Sequence, residues 1–381
     1  MTTDEIRPFR IEVPQSQLDD LTRRLAAVRW PDEAPDAGWS HGIPLDYTQE
    51  LTAYWRDEYD WRAQEARLNA FPQFRTVIDG HDMHFLHVRS AVPDALPLVL
   101  THGWPGSVVE FLDVIGPLTD PAAHGGDPRD AFHVVVPTMP GFGWSGPTPG
   151  GWSVKRVARA WMELMRRLGY DRYAAHGGDF GSAVSRELGL IDPEHVVAIH
   201  VTQLFSAAVT AETADMSDPA ERRAVERGFR YEYELGAYAM LQASRPQTLA
   251  YALTDSPVGQ LAWIAERFKD WTDSTDAPED AVDRDALLTN VMTYWLNGTA
   301  GSSARYYRDG AENWGEPDPA STVPTAVAVL PHDIGSPVRR IAEQNNKIVR
   351  WSEFDRGGHF AAMEEPDLVV ADLRAAMRDY R

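Results

Sequence analysis

The feature that most constrains this chain is Gly177-Gly178-Asp179-Phe180-Gly181, set between the apolar run Tyr173-Ala-Ala-His176 and a helix-forming segment that reaches about residue 191. Glycines two places before and two places after a central residue suit a sharp turn from strand to helix, where the backbone passes close to itself in dihedrals that side chains oppose. Such a turn points the central side chain into the space above the sheet, and the helix N-terminus favours negative charge on it. The central residue is Asp179, and a carboxylate attacks carbon directly, with no base needed to activate it. An Asp in this position could alternatively serve only as a helix cap.

The surrounding pattern agrees with a sheet covered on both faces. Short apolar runs at 96–101, 132–136, 173–176 and 196–201 alternate with helical segments at 154–168 and 181–191, and the strand pattern resumes at 325–330 and 348–351 before a last helix at 367–378. Residues 206–320 interrupt this alternation. They read as helix and are rich in aromatics, which predicts a helical insertion, or cap. Ahead of the sheet, Leu18, Leu21 and Leu25 share one face of a helix, with Ser16 as its N-cap and Pro31 as its end. A second helix is predicted over 47–66, burying Leu51, Tyr54, Trp55 and Tyr59, and two strands at 74–78 and 83–88 flank an Asp79-Gly80 turn. The organisation expected is therefore an N-terminal region (1–90), a first part of the core (91–205), the cap (206–320) and a second part of the core (321–381).

Two further motifs fall at strand ends, where ligands of such sheets bind. His102-Gly103-Trp104-Pro105-Gly106 follows the first core strand. Its loop can supply the backbone N–H of Trp104 to an oxyanion hole, with the N–H of Phe180 as the second donor. Gly357-Gly358-His359-Phe360 follows the last strand, so His359 takes the base position in the order nucleophile, acid, histidine. The acid expected after the preceding strand is Asp333, which would orient His359 and stabilise its imidazolium. Asp355 and Glu353 lie nearer in sequence as rivals, and Asp333 could instead cap a helix starting near Pro337.

Taken together, these motifs resemble those of the microsomal-type epoxide hydrolases. The resemblance covers nearly the whole chain. Ile6-Arg-Pro-Phe-Arg-Ile and Arg29-Trp-Pro are similar to that family's N-terminal region. His102-Gly-Trp-Pro-Gly-Ser, Pro140-Gly-Phe-Gly-Trp-Ser, Gly177-Gly-Asp-Phe-Gly and Arg356-Gly-Gly-His-Phe-Ala-Ala-Met-Glu-Glu-Pro are similar to its core motifs. The resemblance implies an α/β-hydrolase fold with a mostly parallel sheet, a helical cap and an N-terminal wrapping region. It also implies Asp179 as nucleophile, Asp333 as acid and His359 as base. Gly236-Ala-Tyr-Ala-Met and Arg305-Tyr-Tyr-Arg resemble the family's two cap tyrosine sites and imply Tyr238 and Tyr307 as donors to the epoxide oxygen, with Tyr306 adjacent in register. Some members carry Glu where this chain has Asp333. The implied activity opens a bulky, apolar or aromatic epoxide to a vicinal diol through an ester on Asp179, with no metal or cofactor. Similarity to bacterial members of secondary metabolism, including enediyne antibiotic biosynthesis, is part of the same resemblance. A haloalkane-type dehalogenase also uses an Asp nucleophile, but needs halide-binding N–H donors where Tyr238 and Tyr307 stand. A non-catalytic binding protein on this fold would have no use for Asp179, Asp333 and His359 together.

Composition narrows the partners. A net charge of −21 over 381 residues argues against nucleic acid, whose phosphates need a basic surface. The absence of cysteine excludes disulfides and thiolate chemistry. Residues 1–10 are charged, without the apolar stretch of a signal peptide, and no apolar run approaches the ~18 residues that a membrane span requires. The expectation is a cytoplasmic protein with a small-molecule epoxide as partner, as a monomer or a homodimer.

Overall fold

A computed structural model describes residues 4–205, 209–310 and 319–381. One sheet of nine strands organises it, in the order β1-β2-β3-β5-β4-β6-β7-β8-β9. β1 (Arg7–Phe9), β2 (Gln73–Ile78) and β3 (His81–Val88) make an antiparallel margin, and β3 pairs antiparallel with β5 (Phe132–Pro137). The remaining pairs, through β4 (Leu96–Thr101), β6 (Tyr173–Gly177), β7 (Val196–Val201), β8 (Ser321–Val329) and β9 (Asn346–Glu353), are parallel. Every residue of β5 and β6 is buried, which is why these strands read as continuous apolar runs rather than alternating ones.

The chain steps from β4 to β5 on one side and returns to place β6 on the other side of β4. That switch opens a crevice beyond the carboxyl ends of β4 and β6, the natural ligand position of such a sheet. The helix Val154–Arg167 covers the strands below it, and its Trp161 Nε1 donates to Thr101 Oγ1 over 3.1 Å.

The N-terminal region departs from expectation in its helices and in the burial of two tyrosines. Its first helix spans Gln15–Ala26 with Pro14 as N-cap, so Ser16 lies inside the first turn and is not the cap. The fixed φ of Pro14, −58°, already starts the helix, and the helix stops at Ala26, well short of Pro31. The segment 47–66 is two helices, Leu45–Asp57 and Trp61–Leu68. Asp60 separates them, its carboxylate accepting from the N–H groups of Arg62 and Ala63 to begin the second. Leu51 and Trp55 are buried, while Tyr54 and Tyr59 are half-buried. The hairpin of β2 and β3 turns at Asp79 and Gly80, whose φ values of 51° and 75° match the twist of the strands they join.

Between β7 and β8 the chain forms the helices Pro219–Arg230, Ala237–Ser244, Pro246–Asp255, Pro257–Trp271, Arg284–Asn297 and Ala300–Gly310, with a π-helical turn at Tyr231–Leu235. Of the cap expected over 206–320, residues 206–208 and 311–318 lie outside the described residues. The N-terminal helices are fastened to this layer. Tyr47 donates to Glu279, Tyr54 to Asp285, and Tyr59 pairs with Thr289 at 2.9 Å. Among the described residues no helix is long and apolar enough to cross a membrane.

Candidate active site

Asp179 stands at the first residue of the helix Asp179–Ile191, at the carboxyl end of β6. Its φ of 48° places it in the left-handed region, which costs a non-glycine residue about 1–2 kcal/mol. The strain is maintained because the chain around it cannot relax. A Cβ on Gly181 would come within 1.8 Å of the Thr101 carbonyl oxygen, and one on Gly177 within 2.3 Å of the Gly181 carbonyl carbon. The helix and β4 therefore meet backbone to backbone, and the Asp179 side chain is held above the sheet, 7% exposed.

Three loops converge on that carboxyl. From the loop after β4, the Trp104 N–H donates to Asp179 Oδ1 at 2.9 Å, and the Phe180 N–H also hydrogen-bonds the carboxylate. This loop is braced by the layer above, since Asn290 Nδ2 donates to the Pro105 carbonyl and the Tyr294 hydroxyl to that of Gly106, each at 2.6 Å. From the loop after β9, His359 Nε2 lies 3.7 Å from Asp179 Oδ2. From the loop after β8, Asp333 Oδ1 meets His359 Nδ1 at 2.7 Å and also accepts the Ile334 N–H. Asp333 does not cap the helix near Pro337, which begins at Arg339 with Val338 before it. Neither Asp355 nor Glu353 pairs with His359: Glu353 accepts from Trp351 Nε1, and the Asp355 side chain is 92% exposed beside Arg356.

The cap helps to hold His359. Its backbone N–H donates to the Trp271 carbonyl at 2.8 Å, and the Trp271 ring lies edge-on to the imidazole. Burial alone would depress the His359 pKa, but the carboxylates of Asp333 and Asp179 beside it overcome that and raise the value to about 9. Burial raises the Asp179 pKa, opposed by the charge of His359 and by the N–H groups of Phe180 and Trp104. The resting arrangement is an imidazolium between two carboxylates.

Tyr238 and Tyr307 come together above this site. Their hydroxyls are 3.5 Å apart, with Tyr307 donating, and burial pushes both phenols well above their ordinary pKa. Both rings pack on Trp104, Tyr238 stacked at 5.0 Å and Tyr307 edge-on at 5.7 Å. Tyr306 points elsewhere, its ring against Phe142 and Phe180 and its buried hydroxyl without a partner among the described residues. Three neighbours escaped the sequence reading. Tyr231, on the π-helical turn, hydrogen-bonds the Tyr238 hydroxyl at 3.0 Å. Arg267 sits 5.1 Å from the centre of the Tyr238 ring. Glu110 lines a narrow crevice, too tight for a water molecule, together with Gly103, Trp104, Gly106, Gly178, Asp179, His359 and Phe360, and neither tyrosine lines it. A visible signal for Glu110 existed: it is the ionisable residue inside the apolar stretch Val108-Val109-Glu110-Phe111-Leu112.

A mostly parallel sheet, a strained strand-to-helix turn and a histidine on the final strand's loop define an α/β hydrolase, here with a carboxylate at the turn. Residues 97–366 match the family described as alpha/beta hydrolase fold, and residues 6–111 match that described as epoxide hydrolase N terminus. The chain is 48% identical to "Putative epoxide hydrolase" of Stigmatella aurantiaca, across 99% of this chain and 86% of that protein. It is 34% identical to Epoxide hydrolase 1 of Sus scrofa, across 98% of this chain and 89% of that one. The solved structure of Aspergillus niger epoxide hydrolase superposes with a TM-score of 0.88 at 31% identity, covering 98% of this chain and 96% of the other. The chain belongs to the epoxide hydrolase family, which decides against the haloalkane and binding-protein alternatives.

Proposed function

We propose that this enzyme opens a bulky, apolar or aromatic epoxide in two steps, with Asp179 as nucleophile. In the first, an Asp179 carboxylate oxygen attacks an epoxide carbon as the carbon–oxygen bond of the ring breaks. Tyr238 and Tyr307 donate to the departing oxygen, for which a phenol is a suitable acid. In the second, His359, oriented by Asp333, takes a proton from a water that attacks the ester carbonyl. The N–H groups of Trp104 and Phe180 hold the resulting oxyanion. The acyl–oxygen bond then breaks, the diol oxygen recovers the proton, and Asp179 is regenerated.

The observation that carries this reading is the convergence on one buried carboxylate of an N–H at 2.9 Å on one oxygen and a carboxylate-paired imidazole at 3.7 Å from the other. A serine hydrolase would hold a hydroxyl in that place. The aromatic surroundings of Tyr238 and Tyr307, with Trp104, Trp271 and Phe180 against them, favour an apolar substituent on the epoxide. The test is a single turnover of styrene oxide in ¹⁸O-water, followed by mass spectrometry of the peptide containing Asp179. Label in that carboxylate is expected. Label in the diol alone means direct attack by water and removes Asp179 as nucleophile.

A further inference from the structure

Tyr231 is the first residue of the π-helical turn Tyr231–Leu235, which joins the helices Pro219–Arg230 and Ala237–Ser244. Turns of this kind are rare and recur at functional sites. The Gly236 N–H donates to the Tyr231 carbonyl at 2.6 Å, which closes the widened turn. Gly236 also leaves space for the ring, since a Cβ there would fall 3.3 Å from Tyr231 Cε1 and 2.7 Å from the Tyr231 carbonyl oxygen. At the far end of the turn the Leu235 carbonyl accepts at 3.3 Å from Arg267, a buried cation of the helix Pro257–Trp271. The turn is thus fixed at both ends. It brings the half-buried Tyr231 to the Tyr238 hydroxyl at 3.0 Å, with the two rings 83° apart. Among the described residues Tyr238 is the one hydrogen-bond partner of the Tyr231 hydroxyl. Burial raises the Tyr231 pKa, so this hydroxyl keeps its proton at neutral pH.

Each phenol has one proton to give and lone pairs with which to receive. Tyr307 and Tyr231 both reach the Tyr238 oxygen, at 3.5 Å and 3.0 Å. The Tyr307 contact is much longer than the roughly 2.7–2.8 Å of a good O–H···O bond, so Tyr307 is easily released to a better acceptor. Once Tyr238 and Tyr307 each direct their proton to the epoxide oxygen, the Tyr238 oxygen is free to accept from Tyr231. We propose that Tyr231 is a positioning residue for ring opening, donating a hydrogen bond to the Tyr238 oxygen and so leaving the Tyr238 O–H to the epoxide. A hydroxyl that donates becomes a better acceptor, so this bond strengthens as the alkoxide draws on the Tyr238 proton. An interaction stronger in the transition state than before it accelerates the step. The assignment rests on the ester mechanism proposed above. It concerns ester formation alone, because ester hydrolysis turns on His359 and not on the phenols.

Rapid-quench mass spectrometry with styrene oxide reads ester formation and ester hydrolysis as two rates on the intact protein. Y231F is expected to form the ester about 10-fold more slowly, the share of one hydrogen bond, and to hydrolyse it at the parental rate. The decisive readout is the double variant. In a Y238F background the partner oxygen is gone, and Y231F should slow ester formation no further. A structural role for Tyr231 would instead lower the rate by the same factor in both backgrounds. Should Y238F be too slow to time, Y307F is the second background: Tyr238 then acts without Tyr307, and adding Y231F should slow ester formation at least 10-fold more. Parental ester formation in Y231F overturns the proposal. So does an equal fall in both rates, an undiminished effect of Y231F in the Y238F background, or no effect of Y231F in the Y307F background. A parent protein that forms no ester overturns the two-step reading and this assignment together, whereas the other outcomes leave that reading standing.

Discussion

His359 stands between two carboxylates, and their charges set when it can act as a base. In the resting protein its pKa is raised to about 9, so at neutral pH it is protonated and cannot take a proton from water. In the proposed mechanism, alkylation of Asp179 replaces one of those charges with a neutral ester. One of the raising influences disappears, and the imidazole pKa falls below its resting value. A group with a raised pKa is an active base only above that pKa. Ester hydrolysis should therefore accelerate as pH rises and level off at a midpoint below 9, while ester formation, which needs ionised Asp179, should fail on the acid side. Rapid-quench rates from about pH 6 to about pH 10 check this, and a hydrolysis midpoint at or above the resting value contradicts it. Tyr306 and Tyr307 make a second contrast. Tyr307→Phe removes a hydroxyl that meets Tyr238, and should slow ester formation by about 100-fold. Tyr306→Phe removes a buried hydroxyl with no partner among the described residues, and should leave turnover intact and stability equal or higher, measured by urea unfolding.

At the scale of the element, the turn between β6 and its helix is set by contacts no substituent can share. Gly181→Ala drives a methyl into the Thr101 carbonyl, which belongs to a buried strand and cannot yield. We expect a loss of about 3 kcal/mol in urea unfolding, together with loss of ester formation. An unchanged midpoint would mean that β4 and the helix are not in contact as described. This crowding is also why so much was legible beforehand: Gly177, Gly181 and the apolar runs 96–101 and 173–176 write their geometry into adjacent residues. The order Asp179, Asp333, His359 along the chain follows from the same local rules. What was not legible depends on partners distant in the chain or on competing caps. Asp60 ended up starting a new helix because its carboxylate reached two N–H groups, although the apolar spacing on either side fits one continuous helix. Tyr231 reaches Tyr238 because the helix widens by one residue into a π turn, which side-chain periodicity does not reveal. Glu110 faces His359 only once the strands carrying their loops are assembled in one sheet.

Across the whole molecule, the N-terminal helices tie the cap to the sheet. The first strand of the chain, β1, is added to the sheet beside β2, while the helical segment that follows it hydrogen-bonds the cap through Tyr47 in a helix and Tyr59 in the link between two. The helix Arg284–Asn297 receives the Tyr59 contact at Thr289 and in turn braces the Trp104 loop through Asn290 and Tyr294. Removing the two hydroxyls as Tyr47→Phe and Tyr59→Phe should cost about 1 kcal/mol each. Hydrogen exchange should rise in 284–297 before it rises in β4 to β7, and uniform exchange across both would show that the cap has no separate attachment.

The stack of Trp104 on Tyr238 has an optical consequence. The indole lies 5.0 Å from the phenol ring and edge-on to Trp271 and Tyr307, and the amide of the same residue holds the Asp179 carboxylate. An epoxide seated between Asp179 and the phenols changes the polarity at the edge of that chromophore, and the loss of charge on Asp179 changes the field across it. If the ester forms as proposed, the Trp104 share of the emission, read among 13 tryptophans as the difference from a W104F variant, should follow binding, alkylation and release in sequence by stopped-flow fluorescence of unlabelled compounds.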